Sequence, residues 1–470
     1  MARSINAADN RMVNLFPEVI PEGGKEPAFL NRAPGLKFQQ TIGTGPIRAL
    51  WAHQTNGSNF YVVSGNEVYK VPSLTGTPVK IGDVSGSGPV SIADNGVQLF
   101  FACNPASYVY NDVTGVFVQI TDVDFPGAVT VQYLDGYFIF NEPNSQRLWA
   151  TSLLDGTMIA PLDFASAEGS PDGVVAVAVD HRELWVFGTD TVEVWYDAAL
   201  IDFPLAPIQG ALNEIGCAAA FSIAKLDNAL FWLGADARGF GIVYQNKGYS
   251  GVRVSTHAIE YAIQQYDTIS DAVAYTYQQE GHAFYVLNFP SANATWVYDV
   301  ATQAWHERAG FLNGAFTRHR SNCQCNFANN TVVGDFENGN IYTLDLDIYA
   351  DNSNIQKWLR SWRALAPGEN NLKRSTHHSL QLDAETGVGL NSGQGSDPQV
   401  MLRWSDDGGH TWSNEHWASM GTIGSYGYRT FWRRLGMTEK IRDRVYEVSG
   451  TDPVKIAIVG AELFITPTNA

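Results

Sequence analysis

The run Phe60-Tyr61-Val62-Val63-Ser64-Gly65 is the first of seven short apolar runs that recur along the chain. The other runs combine large apolar residues in the same way, and they begin at Leu99 (LFFAC), Phe138 (FIFNE), Trp185 (WVFGT), Phe231 (FWLGA), Phe284 (FYVLN) and Val332 (VVGDF). Successive runs start 39 to 53 residues apart. Because a period in this range is typical of propeller blades, each run is predicted to be one strand of a blade.

Each apolar run also has similar neighbours. A strand of small alternating residues comes before it, as in Val174-Val175-Ala176-Val177-Ala178-Val179, and such a strand suits the crowded centre of a propeller. A Gly or Asn turn comes after it and leads to a strand with Tyr or Trp, which often ends in a turn-capping Asp, as in Trp195-Tyr196-Asp197. With an outer strand the unit is a four-stranded blade.

The predicted fold is therefore all-β, with a β-propeller of six or seven blades and an additional C-terminal β-sandwich-like domain. A set of β-sandwich domains with unrelated hairpins is the alternative, and the regular spacing favours the propeller. We expect an N-terminal extended arm over residues 1–40, the propeller over 41–350 and the C-terminal β domain over 351–470. One short helix is predicted between blades at His257–Gln265, where Ile259 and Ile263 are four residues apart.

The charge of the chain limits what it can bind. The formal net charge is -18, and the region from residue 351 onward carries 13 basic and 13 acidic side chains. The excess of acid therefore lies in the predicted propeller, which argues against a DNA-gripping surface there. We expect no secretory signal, no membrane anchor and, with four cysteines in 470 residues, no disulfide scaffold.

The strongest local motif is the run from Ser405 to Trp412, Ser-Asp-Asp-Gly-Gly-His-Thr-Trp, which matches the Asp-box pattern. Its predicted role is structural: Gly409 permits a positive φ, Asp407 accepts hydrogen bonds from turn amides, and Trp412 anchors the turn. The structural residues of this turn are Ser405, Asp407, Gly409, Thr411 and Trp412.

We predict no catalytic, cofactor or metal site. The Cys323/Cys325 pair lacks a second pair at a zinc-site spacing, and the histidines at 377, 378, 410 and 416 lack a carboxylate at a recognisable ligand spacing. No Gly-x-Ser-x-Gly elbow, Walker loop or dinucleotide fingerprint occurs. The protein is accordingly expected not to be an enzyme and to need no cofactor.

A basic cluster interleaved with aromatic residues stands out in this acidic chain, and its members of interest are Arg429, Arg433, Arg434, Arg442 and Arg444. A solvated hairpin face with local salt bridges is one interpretation. A docking patch for an acidic surface, such as the propeller of a neighbouring copy, is the functional one. Nucleic-acid binding is a weaker third option.

Taken together, these segments resemble the tail hub (nozzle) proteins of short-tailed bacteriophages, also called packaged-DNA stabilisation proteins. Besides the blade series, the segments that carry the resemblance are 14–18 (NLFPE), 34–36 (PGL), 403–415 (RWSDDGGHTWSNE), 421–426 (GTIGSY), 431–436 (FWRRLG), 442–447 (RDRVYE) and 452–454 (DPV). The resemblance spans nearly the whole chain and is most specific in the last 70 or so residues.

The resemblance implies a structural virion protein of the podovirus tail, made in the host bacterial cytoplasm. Such proteins form a homohexameric ring below the portal and its adaptor (the head-to-tail connector). They extend the DNA exit channel, retain the packaged DNA and hold the tail needle, fibres or tailspikes. DNA passes without sequence-specific binding, and an acidic channel wall would let it slide because it repels phosphates.

The alternative from another class is a glycan-binding or sialidase-like propeller. It rests on the Asp-box and on the many Trp and Tyr side chains, which can stack on sugars. An enzyme of this kind would need catalytic carboxylates or a Tyr together with Arg at one end of the propeller channel, and a lectin would need a binding motif in each blade.

Overall fold

In the computed structural model, the described residues are 10–20, 26–53, 58–167, 169, 172–236, 239–365, 373–439 and 444–468. The four strands of the N-terminal segment are β1 (Met12–Val13), β2 (Leu15–Val19), β3 (Ala28–Arg32) and β4 (Gly35–Thr41).

Seven consecutive sheets follow and form the blades of a propeller. In chain order they are blade 1, β5 (Ile47–Ala52), β6 (Phe60–Ser64), β7 (Glu67–Val71) and β8 (Val79–Asp83); blade 2, β9 (Ser91–Asp94), β10 (Gln98–Ala102), β11 (Ser107–Asn111) and β12 (Val116–Gln119); blade 3, β13 (Val131–Leu134), β14 (Tyr137–Asn141), β15 (Arg147–Ala150) and β16 (Phe164–Ser166); blade 4, β17 (Val174–Asp180), β18 (Glu183–Gly188), β19 (Val192–Asp197) and β20 (Leu205–Pro207); blade 5, β21 (Gly216–Cys217), β22 (Ala224–Leu226), β23 (Ala229–Asp236), β24 (Gly239–Lys247) and β25 (Ser250–Arg253); blade 6, β26 (Val273–Gln279), β27 (His282–Phe289), β28 (Ala294–Asp299) and β29 (Ala304–Glu307); and blade 7, β32 (Ser321–Phe327), β33 (Asn330–Asp335) and β34 (Asn340–Asp345) with β4 as its outer strand.

The second strand of each blade contains the apolar run that the sequence singles out. This strand has a neighbouring blade on each of its faces, so it is apolar throughout instead of alternating; every residue of β6 and β27 is buried. Hydrophobic clusters fill the space between each blade and the next, and the innermost strand of blade 7 contacts that of blade 1. The ring therefore closes with seven blades, and the prediction of a propeller is confirmed.

Shorter elements connect the blades. The predicted helix is α1 (His257–Ile263), between blades 5 and 6, and it buries Ile259 and Ile263. Two small hairpins flank blade 7: β30 (Ala309–Leu312) with β31 (Ala315–Arg318), and β35 (Ala350–Asp351) with β36 (Asn354–Ile355).

The C-terminal part is a β-sandwich, as predicted. Its strands are β37 (Trp358–Arg363), β38 (Ser375–Ala384), β39 (Gln399–Ser405), β40 (His416–Ser419), β41 (Thr430–Met437), β42 (Val445–Gly450) and β43 (Ala457–Pro467). One sheet has the order β37-β42-β39-β40 and the other the order β2-β3-β43-β38-β41. A core that includes Trp358, Leu402 and Tyr446 lies between the two sheets.

The N-terminal segment joins the propeller to the sandwich. β1 pairs in parallel with β29, the outer strand of blade 6, and antiparallel with β37, so a continuous nine-stranded sheet runs from blade 6 into the sandwich. The described part of the predicted extended arm is thus extended, but it is built into the sheets of both parts. The buried side chain of Arg32 reinforces the junction, because it donates hydrogen bonds to the backbone oxygens of Tyr349, Gln356 and Val454.

Candidate docking surfaces and the propeller channel

The inner strands of the blades surround a central cavity of about 330 Å³. Arg48 is the one charged residue among those that line it, and its guanidinium donates to the backbone oxygens of Gly88, Gly65 and Ser85 at 2.6, 3.0 and 3.1 Å. Burial lowers the pKa of Arg48. Tyr275 also lines the cavity, and its hydroxyl is hydrogen bonded to Ser321 at 2.6 Å. The lining therefore does not bring together the carboxylates, tyrosine and arginines that a sialidase-like site would need.

The same cavity is too small to conduct DNA. Its volume is that of a small-molecule site, whereas the major groove of B-DNA alone is about 12 Å wide. A duplex that passes this protein must therefore run along an outer surface of the propeller and not through its centre.

The Asp-box residues form a hydrogen-bonded turn at the end of β39. Asp407 accepts bonds from the Ser405 hydroxyl at 2.6 Å and from the backbone N–H and the hydroxyl of Thr411 at 2.9 and 2.6 Å. These bonds hold the pKa of Asp407 below its usual value. Gly409 has a φ of 93° and donates its N–H to the Ser405 hydroxyl, and Trp412 lies under the guanidinium of Arg403 at 4.6 Å. The Asp407 carboxylate is thus used within the turn.

Arg444 belongs to this turn and not to an exposed patch. Its side chain is 3% exposed, and both oxygens of Asp406 accept its N–H groups at 2.7 Å. A third N–H donates to the backbone oxygen of Leu435 at 2.7 Å. A guanidinium that is buried and paired in this way is unavailable to a partner, so Arg444 is removed from the predicted docking patch.

Three other arginines of the predicted patch are exposed on the outer face of the sandwich. Arg429 and Arg433 lie over the two faces or edges of one ring, Phe431, with guanidinium carbons 5.5 and 5.0 Å from its centroid. Arg434 is exposed at a bulge of β41 with a φ of 59°. Among the residues that the structure describes, none of these three forms an ion pair. Arg442 lies outside the described residues.

The aromatic content of this face comes from two strands. Register places Arg433 opposite Ser379 and Ser379 opposite Phe464, so Phe464 lies on the same face, and it is 63% exposed. Its ring contacts that of His378. We call Arg429, Phe431, Arg433 and Phe464 the basic-aromatic face.

A second surface lies at the outer edge of blades 3 and 4, and sequence reasoning missed it. It consists of residues 151–163, which connect β15 to β16, and residues 198–204, which connect β19 to β20; we call it the acidic rim. Its exposed apolar side chains are Leu153, Leu154, Met158, Leu162, Leu200 and Ile201. The sequence signal is a scarcity of basic residues: residues 148–224 contain eleven acidic side chains and one basic, Arg182.

The predicted absence of a metal site is not tested by a structure without ligands, but the candidate residues can be placed. In the described ranges no group of three His, Cys, Asp or Glu side chains has the geometry to hold a metal. Cys323 and Cys325 lie on β32 as free thiols, and His377 is buried between Ser375 and Tyr446. No helix in the same ranges is both long and apolar enough to span a bilayer.

Comparison with solved structures gives only distant similarity. A chain of S. cerevisiae Dbp5 bound to Nup159, Gle1, IP6 and ADP is 10% identical, with a TM-score of 0.43 and coverage of 70% of this chain and 98% of that one. YCF48 from Cyanidioschyzon merolae is 11% identical, with a TM-score of 0.43 and coverage of 66% and 99%. The designed protein Ika8 is 14% identical, with a TM-score of 0.39 and coverage of 72% and 97%.

Curated protein sequences include no match to this chain. Two family models do match it. The model described as the bacteriophage P22 Gp10 β-propeller matches residues 4–349, and the one described as the bacteriophage P22 Gp10 β-sandwich matches residues 358–466. The two matches cover both parts of the fold. The chain therefore belongs to the bacteriophage P22 Gp10 family of short-tailed phage tail hub proteins and is a structural protein of the phage tail.

Proposed function

We propose that this protein is the nozzle of a short-tailed phage. Six copies form a ring below the portal and its adaptor, extend the DNA exit channel and retain the packaged genome. The ring holds the tail needle, fibres or tailspikes. The role is structural and not catalytic, and the protein is made in the host cytoplasm before it joins the virion, where free thiols such as those of its four cysteines would stay reduced.

The observation that carries the channel role is the uneven charge. Residues 1–350 contain 35 acidic and 17 basic side chains, while the rest of the chain is balanced. Because the cavity of each propeller is too small for a duplex, DNA would pass between the copies of a ring, against their outer surfaces. Acidic surfaces repel phosphates, so the genome would slide past them instead of binding.

The continuous sheet supports the mechanical part of the proposal. β1 is hydrogen bonded to blade 6 on one side and to the sandwich on the other, so the two parts form one stiff unit. A ring that holds pressurised DNA on one side and receptor-binding proteins on the other needs subunits that do not bend between their two halves.

A capsid assay tests the proposal. Purified protein is added to DNA-filled, tail-less capsids of its own phage, and the fraction of DNA that nuclease can digest is measured over time. The expected result is a saturable decrease in digestible DNA, with six copies bound per capsid. Unchanged leakage with no copies bound would contradict it, and glycan binding and sialidase activity would then be measured. The matched control is the same protein after heat denaturation, which leaves the charge and composition unchanged.

A further inference from the structure

The acidic rim has the composition of a protein interface. Ile201 is fully exposed, and Leu162 is 64% exposed. These two side chains belong to different blades, and they alternate with carboxylates in the sequence: Leu162 precedes Asp163, and Ile201 precedes Asp202. Grouped exposed apolar side chains bordered by polar ones mark interaction sites on soluble proteins.

The two loops of the rim lie next to each other. Burial and the nearby charge of Asp202 raise the pKa of Asp163, which places the two carboxylates within electrostatic range. Asp197 adds a third exposed carboxylate at the end of β19. In the described residues none of these three forms an ion pair, so the rim presents negative charge beside aliphatic side chains without internal compensation.

The basic-aromatic face has the opposite character. The side chains of Arg429 and Arg433 are held over Phe431, which orders them before any partner binds and lowers the entropy that binding must remove. Phe464 supplies an exposed apolar surface beside them. Glu462 lies two strands from Phe431 on the same face, so the positive charge is concentrated at the β41 edge of the sheet.

The two surfaces lie on opposite sides of the molecule. The sandwich joins the propeller at blade 6 through β1 and at blade 7 through β4, which continues from β3. Since the seven blades follow in chain order around the ring, blade 3 is three positions away from both blade 6 and blade 7. A copy therefore cannot dock its own basic-aromatic face on its own acidic rim.

We propose that the basic-aromatic face of one copy docks on the acidic rim of the next copy. Such a contact is heterologous, since it joins two different surfaces, and repeated around an axis it generates a closed ring. Opposite charges steer the encounter and exclude face-to-face or rim-to-rim pairing. This inference rests on the proposed function for the presence of a ring, and it adds the two surfaces that join neighbouring copies.

Charge reversal tests the inference. The rim variant is Asp163→Lys with Asp202→Lys, and the face variant is Arg429→Glu with Arg433→Glu. At low salt the wild type is expected to self-associate in sedimentation experiments, and each variant alone to do so at least about tenfold more weakly. An equimolar mixture of the two variants, or one chain with all four changes, restores association because opposite charges again meet. Wild-type protein that stays monomeric at low salt, or variants that associate like wild type, would overturn the inference.

Disulfide trapping gives a second readout. Ile201→Cys in one copy and Phe464→Cys in another are expected to form a cross-linked dimer on oxidation. The control pair replaces Ile201→Cys by Val116→Cys, an exposed position on blade 2, and is not expected to cross-link. Equal cross-linking by the two pairs contradicts the docking.

The two proposals fail separately. If rings form at the capsid vertex and the 201–464 cross-link does not form, the docking is wrong and the nozzle assignment stands. If the cross-link forms in solution and the protein ignores the capsid, the docking stands and the nozzle assignment fails.

Discussion

Replacement of Asn14 by alanine is expected to loosen the junction between the propeller and the sandwich. Asn14 is fully buried between β1 and β2, and its φ of 53° turns the chain from one sheet of the sandwich into the other. Its amide donates to the backbone oxygens of Ala309 and Lys357 at 2.8 Å each, and its side-chain oxygen accepts the N–H of Ala309 at 2.9 Å. One side chain thus fastens the segment after blade 6 to the segment before β37.

The magnitude follows from these contacts. Three buried hydrogen bonds at about 1 kcal/mol each are lost. Alanine in the left-handed region adds about 1 kcal/mol. The free energy of unfolding is therefore expected to fall by about 4 kcal/mol in Asn14→Ala. Asn14→Gly loses the same hydrogen bonds without the backbone penalty, so it is expected to be about 1 kcal/mol more stable than the alanine variant.

Urea unfolding followed by tryptophan fluorescence and by far-UV circular dichroism measures both variants. We expect wild-type protein to give coincident transitions, because the continuous sheet couples the two parts, and Asn14→Ala to separate them. The reasoning is refuted if Asn14→Ala lies within 1 kcal/mol of wild type, or if the glycine variant is the less stable of the two.

Three further predictions concern single residues. Arg444→Met leaves Asp406 without its partner and is expected to cost about 3 kcal/mol and to speed hydrogen exchange at residues 405–413; unchanged exchange there would show that the ion pair does not hold the Asp-box turn. Asp351 is buried and burial raises its pKa to about 7, so the native state binds its proton more tightly than the unfolded state and stability falls as pH rises from about 4 to 7, by about 4 kcal/mol; the urea midpoint of Asp351→Asn is expected to lose this slope, and an unchanged slope would contradict the assignment. Gly45→Ala would place a Cβ 2.0 Å from the backbone of Asn338, where blade 7 meets blade 1, whereas Gly96→Ala has a similar φ and open space; we expect the thermal midpoint to fall clearly more in Gly45→Ala, and equal losses would show that backbone strain alone is responsible.

The blades could be predicted from sequence because their signal is local. A strand that is covered on both faces reads as a continuous apolar run, such as residues 60–64, and seven such runs at regular spacing leave few other folds. The short helix is equally local, since Ile259 and Ile263 lie one turn apart on the buried side.

The connections between distant segments could not be predicted. β4 completes blade 7 by pairing with β34, about 300 residues later, and β1 pairs with both β29 and β37. A half-polar strand such as β4 shows that it is extended but not which strand it pairs with. The seventh blade and its closure therefore became visible only in the structure.

The candidate surfaces divide in the same way. The hydrogen bonds of the Asp-box join residues two to four apart, so the motif itself indicates them. Arg444 could not be distinguished from its exposed neighbours, because its partner Asp406 lies 38 residues away. The acidity of residues 148–224 is visible in sequence, but its position opposite the sandwich depends on the order of the blades.

The central claim is that this protein forms a ring at the capsid vertex, and negative-stain electron microscopy tests it most directly. DNA-filled, tail-less capsids of the same phage are mixed with the protein, and the vertex is averaged without imposed symmetry. The account predicts a six-fold ring of two-part subunits below the portal, with an open central channel. Capsids with bare vertices among single, unattached propellers would contradict it.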